Sequence, residues 1–309
     1  MQATGGFRHT LKMYKKNMAL VLMLAPTIIY FIVFKYVPMT GIVMAFNDFQ
    51  LKAGIFKSPW VGFKNFVEVF GTDTFQRSVS NTIIISLLKI VIGFPMPIVL
   101  ALLLNEVRHI RYKKVVQTVS YLPHFLSWII VAGIMNQLLS PTNGAVNYIL
   151  THWLGRESTI YFLGDNNYFR GTLIVTDIWK DVGWSSILYM ATIAGIDTTL
   201  YEAAVVDGAT RFQRLLHITL PSLLPTITIM LILRVGGVMD AGFDQVLNMY
   251  NTAVYKTGDI IDTYVYRYGL GEMKYSIGTA VGLFKNIIGF VLVIGTNAIT
   301  NRLNGNGIW

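Results

Sequence analysis

Six stretches of this chain, roughly 18–46, 79–104, 115–139, 171–196, 221–243 and 276–300, are each apolar over more than 20 residues. A helix of about 20 such residues crosses about 30 Å of hydrocarbon, and no soluble domain has six surfaces of that kind to hide. Only 13% of the residues are charged, about half of what an ordinary soluble domain carries. The expected fold is therefore an all-α integral membrane protein with six spans packed as one domain over 1–309. No Gly/Ser-rich or Pro-rich linker divides it. The first segment follows Arg8, Lys12, Lys15 and Lys16, but its uncharged run Met18 to Phe34 is long for a signal peptide and is not followed by a small-residue cleavage site. It reads as an uncleaved span.

The charges give an orientation. With the N-terminus inside, the inner segments 1–17, 105–114, 197–220 and 301–309 hold 11 Lys and Arg in 60 residues, whereas the outer segments 47–78, 140–170 and 244–275 hold 9 in 95. Basic residues concentrate on the cytoplasmic side of membrane proteins. Both termini are expected in the cytoplasm of a cell whose inner or plasma membrane holds the chain. The net charge of +9 is distributed by topology, at the ends of apolar segments, and forms no dense patch for nucleic acid. Cysteine is absent, which excludes disulfides, thiolate metal sites and cysteine nucleophiles. The five histidines have no paired spacing, so no metal site is expected.

One inner segment is unusually ordered for a loop. In YEAAVVDGATRFQRLLHITLP, Tyr201 to Pro221, the residues Tyr201, Ala204 and Val205 fall at helical spacing. Gly208 permits a turn, Phe212, Leu215 and Leu216 mark a second amphipathic piece, and Pro221 suits the first turn of the next span. The expectation is a helix-turn-helix on the cytoplasmic face. Periodicity alone leaves open a helix that merely lies among lipid headgroups.

The pattern Glu202-Ala203-Ala204, three residues, Gly208, nine residues, Ile218, Leu220 and Pro221 resembles the EAA loop of binding-protein-dependent ABC importer permeases. Further matching stretches are WVGFKNF at Trp60 to Phe66, Asn81-Thr82, Tyr121-Leu122-Pro123, Ile178-Trp179-Lys180 and Asp207-Gly208-Ala209. Together they are similar to the carbohydrate permeases of the maltose type, in their LplB-like oligosaccharide branch. The resemblance implies a cytoplasmic coupling helix between spans 4 and 5, with Glu202, Ala203, Ala204, Asp207, Gly208, Leu220 and Pro221 meeting a separate ATPase subunit. It also implies a second permease subunit, two ATPases that bind ATP and Mg, an extracytoplasmic solute-binding protein, and no catalysis by this chain. Consistently, the sequence holds no GxxxxGK[ST] phosphate loop.

Ionisable residues inside spans are costly and mark cavities or paired sites. Lys89, Asp177, Lys180, Asp181, Arg234 and Lys285 fall in the six segments. Thr82, Ser86, Lys89 and Gly93 share one helical face, as do Asp177, Lys180, Asp181, Trp184 and Leu188. The expected substrate route is lined by Lys89, Asp177, Lys180, Asp181, Trp184 and Arg234. Set against Asp177 and Asp181, the four cations raise the question of an acidic oligosaccharide, with Lys89 and Lys180 as contacts. Pairing with those acids or with the partner permease is the alternative. Two other classes stay in view: an ion-driven transporter, which the EAA pattern and the lack of an internal repeat oppose, and a membrane transferase using Asp177 and Asp181.

Overall fold

The computed structural model describes residues 16–304. Among them the architecture is helical throughout, apart from one isolated antiparallel bridge between Asn47 and Trp60. Four helices are long and apolar enough to cross a membrane: α1 (Met18–Phe46), α3 (Asp73–Glu106), α9 (Arg211–Gly236) and α12 (Tyr275–Arg302). A fifth span is formed if α4 (Ile110–Phe125) and α5 (Trp128–Leu138) count together, but they meet at 106°. The remaining long helix, α7 (Asn166–Ala194), has 29 residues, enough for about 43 Å at 1.5 Å each. Arg170, Asp177, Lys180 and Asp181 on it make it too polar to qualify by composition. Shorter helices include α2 (Lys64–Phe70), α6 (Ala145–His152), α8 (Thr198–Val206), α10 (Phe243–Met249) and α11 (261–271), with one further turn of helix at Tyr255–Gly258.

Three expected segments differ from the helices that form. The segment 115–139 is broken, because Pro123 opens a 3-10 turn at Leu122–Phe125 and Leu126 and Ser127 are extended. Ser127 then caps α5 by accepting the Ile130 N–H. The segment 221–243 is displaced. Its helix begins at Arg211, behind a capping box in which Thr210 and Gln213 satisfy each other's backbone N–H, and it ends at Gly236. Pro221 therefore does not start the span but lies inside a longer helix, directly after a π turn at Leu215–Thr219. Such a wide turn accommodates the carbonyl that a proline ring would otherwise strike. The same device recurs at Lys89–Gly93 before Pro95 and Pro97, and at Ile32–Tyr36 before Pro38. Finally, the outer segment 244–275 is no surface loop alone, since Val246, Val254, Ile260 and Ile261 are fully buried.

Packing fixes where these helices cross. A central core joins Ile85 of α3, Val131 and Met135 of α5, Phe169 and Leu173 of α7, and Val246 and Met249 of α10. A second core joins Val69, Phe75, Ile261, Tyr264 and Val281, linking α2, α3, α11 and α12. At the other end Ala101, Tyr189, Ile193 and Leu223 join α3, α7 and α9. Gly183 lets α4 approach α7 closely, because a Cβ there would lie 2.1 Å from the Ser120 carbonyl oxygen. By contrast, Met18 to Tyr36 of α1 has no buried residue, a face this chain alone leaves to lipid or another chain.

The basic residues Arg8, Lys12 and Lys15, His9, and the tail after 304 lie outside the described residues.

Candidate functional sites: an elbow and a charged cavity

The EAA stretch folds as two arms. Asp197 caps α8, its Oδ1 accepting the Thr199 N–H at 2.9 Å, and that bond holds its carboxyl below the usual carboxylate range. The Asp207–Ala209 turn follows, with Gly208 at φ +77° and the Ala209 N–H donating to the Ala204 carbonyl at 2.8 Å. A Cβ at Gly208 would meet nothing within 4 Å. Glycine is required here for its backbone angle, not for space. The arms are tied by Tyr201 Oη and Thr219 Oγ1 at 2.9 Å.

Glu202, Ala203, Asp207, Gly208 and Pro221 are exposed, whereas Ala204 and Leu220 are half-buried. Of the residues at helical spacing, Tyr201 and Ala204 are half-buried, but Val205 and Phe212 are exposed at 55% and 67%. Val206 is 87% exposed. Between the arms a notch of about 260 Å³ is lined by Ala204, Ala209, Gln213, Arg214, His217 and Ile218. An elbow with exposed apolar residues and a notch that joins two alanines to polar and basic side chains can receive a complementary chain.

The second site lies where α3, α7, α9 and α10 meet. Lys89 donates from Nζ to Asp177 Oδ1 at 2.9 Å and to Gln245 Oε1 at 2.5 Å. Gln245, fully buried, donates in turn to the Leu173 carbonyl and Thr176 Oγ1 at 2.7 and 2.8 Å. These bonds fix its amide so that oxygen faces the ammonium. The chain reaches Gln245 through a strained loop, in which Ala241 and Gly242 have φ of 52° and 86°. At Gly242 a Cβ would sit 2.5 Å from Lys89 Nζ and displace the ammonium, and the positive φ itself favours glycine. Ser86 donates to the Val238 carbonyl and holds the loop from α3.

Two adjoining cavities, of about 280 and 300 Å³, open beside this cluster and share Asp177, Asp181, Leu233 and Arg234. Arg234 Nη2 is 3.4 Å from Asp177 Oδ2, and its side chain is 46% exposed. Asp181 Oδ1 lies 2.7 Å from His124 Nδ1 and 4.0 Å from Lys180 Nζ. Lys180 itself turns away: its ammonium donates to the His124 carbonyl at 2.8 Å, near the end of α4, and lies 5.4 Å over the Trp128 ring. Trp184 stacks on His124 at 4.6 Å.

The structure thus brings Lys89, Asp177, Asp181 and Arg234 to the cavity walls, and buries Lys180 against His124 and Trp128, while Trp184 lines neither cavity and is 44% exposed beside His124. Of the α3 face, Ser86, Lys89 and Gly93 border the cavities, while Thr82 is buried and receives the Ile261 N–H. Asn81 donates to the Asp259 carbonyl, so the Asn81-Thr82 pair ties α3 to the segment entering α11. Trp179 lines a separate apolar cavity. The charge comparison made from the sequence omits two carboxylates. Asp240 borders the second cavity, and Asp262 binds Lys285 at 2.6 Å. Lys285 therefore has its own acid. Gln245 and His124 were also missed as parts of the cluster, because a lone amide and a lone histidine carry no spacing signal.

Near α11 a further network holds Arg267. Its Nη2 is 2.6 Å from Asp259 Oδ2 and its guanidinium 4.2 Å from the Tyr255 ring. Burial pulls the Arg267 pKa down, but the Asp259 carboxylate outweighs it and the net shift is upward. Burial also pushes the Tyr250 phenol up to about 12. These groups are committed to one another and hold the entry to α11 in place. Among the described residues no cluster of His, Asp and Glu could hold a metal ion.

Comparison with known proteins adds a family. Residues 93–305 match the family described as binding-protein-dependent transport system inner membrane component. Protein LplB of Bacillus subtilis (strain 168) is 42% identical over 295 residues, covering 96% of this chain and 92% of that protein. The polygalacturonan/rhamnogalacturonan transport system permease protein YteP of the same organism is 43% identical over 290 residues, covering 94% and 90%. A chain in the crystal structure of a bacterial ABC transporter involved in the import of the acidic polysaccharide alginate superposes with a TM-score of 0.88 at 43% identity, covering 96% of this chain and 99% of that one.

Proposed function

The chain belongs to the binding-protein-dependent transport system inner membrane components, and from that membership we propose that it is one of two permease subunits of an ABC importer for oligosaccharides, acidic ones among them. Identity above 40% over nearly the full length of YteP and of the alginate importer chain carries the reading. A second, different permease chain completes the membrane pathway. Two cytoplasmic ATPases bind ATP and Mg and supply the energy, and an extracytoplasmic solute-binding protein delivers the sugar. This chain is a membrane component with no catalytic residue of its own.

In this reading α7 is also a span, the fourth in chain order, its polar face turned into the bundle, where buried charge is tolerated when paired. Both termini and the elbow lie in the cytoplasm, in agreement with the charge density along the sequence. Glu202, Ala203, Ala204, Asp207, Gly208, Leu220 and Pro221 form the contact with an ATPase. A rigid elbow suits that work, because the closing of two ATPases then becomes a rotation of α9 and its neighbours rather than a local bend. Lys89, Asp177, Lys180, Asp181, Trp184 and Arg234 form the substrate route and its supporting wall.

The assembly is tested by tagging this chain in its native membrane and identifying what co-purifies. A second permease, an ATPase and a sugar-binding protein are expected. Recovery of the chain alone, with uptake that persists after ATP depletion, would overturn the importer assignment.

A further inference from the structure

We propose that Arg234 is the residue that selects acidic cargo: it leaves Asp177 and takes a carboxylate of the sugar in its place. This inference rests on the reading of the chain as a permease that carries acidic oligosaccharides.

The cations near the cavities differ in what holds them. Lys89 is 4% exposed and satisfied by Asp177 and Gln245, with the Gly242 backbone against it. Lys180 is 7% exposed and bound to the His124 carbonyl. Arg234 alone of the three lines both cavities, and nearly half of its side chain is open. Its contact with Asp177 is also the looser one, at 3.4 Å against 2.9 Å for Lys89.

That asymmetry makes Arg234 releasable. When it moves, Asp177 keeps the Lys89 ammonium and is not left as an unpaired buried anion, the situation that makes breaking a buried pair costly. A sugar carboxylate arriving at Arg234 offers the same group that Asp177 offered, and the planar guanidinium can hold it with two parallel hydrogen bonds. The exchange swaps one carboxylate for another. A neutral sugar offers no such exchange, so Arg234 stays on Asp177. Of the other acids nearby, Asp181 has partners of its own in His124 and Lys180. Asp240 borders only the second cavity, beside Asp262 with its Lys285.

The test uses the complete assembly in proteoliposomes, with uptake of a uronate oligosaccharide compared with its carboxyl-reduced counterpart, each presented by saturating binding protein. In the native assembly the uronate should be favoured. Arg234→Gln should lower the uronate-to-neutral ratio about tenfold or more, in line with the loss of a charged hydrogen bond, and Arg234→Lys, which keeps the charge but not the two-pronged grip, should fall between the native protein and Arg234→Gln. Asp177→Asn should change the ratio in the opposite direction, because it frees Arg234; a purely structural pair would make both variants lose uptake of both sugars alike. Should Asp177→Asn fail to assemble, the contrast between Arg234→Gln and Arg234→Lys decides. Equal loss of both sugars in Arg234→Gln, or an unchanged ratio, overturns the proposal while leaving acidic cargo standing. No uptake of uronate by the native assembly overturns the acidic-cargo reading, and this proposal with it.

Discussion

The Lys89 ammonium lies 2.9 Å from Asp177 Oδ1, with the two side chains only 6% and 13% exposed, and so locks α3 to α7 at the charged cluster. Neither group is free to leave. Removing one partner of such a pair leaves a bare charge and costs about 3–5 kcal/mol, whereas replacing both is often nearly neutral. Asp177→Leu, which strands the buried Lys89 ammonium, should therefore lower the melting temperature of the purified assembly sharply, and Lys89→Met added to Asp177→Leu should recover much of the loss. A single variant that melts as the native protein does would show that the pair does not hold the bundle.

The elbow makes a prediction of a different kind, since its glycine is set by backbone angle. Gly208→Ala should weaken ATPase docking modestly, through a left-handed residue that costs about 1–2 kcal/mol, and Gly208→Asn should cost less. Glu202→Lys leaves the fold intact, because the side chain is exposed, but should reduce ATPase recovery in pull-downs. Recovery at native levels in Glu202→Lys and Gly208→Ala together would remove this elbow from the coupling contact. The cap adds a pH rule. The depressed pKa of Asp197 means that its contribution is present above the ordinary carboxylate value near 3.9 and is lost only as the pH falls through the lower folded value. Docking should therefore not depend on this group between about pH 5 and 8.

What the sequence reveals about this protein follows the range of the forces involved. The all-helical membrane character and the turn at Gly208 are legible because hydropathy and a glycine-centred turn are local properties. The broken helix at Leu126 is not, since a 3-10 turn at Pro123 and the Ser127 cap interrupt an apolar run, and the early start of α9 at Arg211 is not, since a capped polar turn and a π turn ahead of proline merge a loop with a span. Gln245 is the clearest omission. Its role depends on Leu173, Thr176 and Lys89, none of them near it in the chain, and a single buried amide has no period. In the same way Lys285 looks unpaired until Asp262 is brought to it by the fold.

Orientation can be checked on the cysteine-free chain by introducing single cysteines at exposed sites. Lys57→Cys and Lys256→Cys should react with an impermeant thiol reagent from outside, and Gln213→Cys only after the membrane is opened; all three native side chains are exposed. Labelling of Gln213→Cys in sealed cells would invert the topology.

The central claim, that this chain transmits ATP-driven motion to a sugar pathway, is tested most directly by ATP hydrolysis in proteoliposomes holding the full assembly, measured with and without sugar-loaded binding protein. The account predicts that loaded binding protein stimulates hydrolysis, and that Glu202→Lys in this chain abolishes or greatly reduces the stimulation while the subunits remain in the membrane. Hydrolysis that ignores the loaded binding protein, or stimulation unaffected by Glu202→Lys and Gly208→Ala combined, would contradict it.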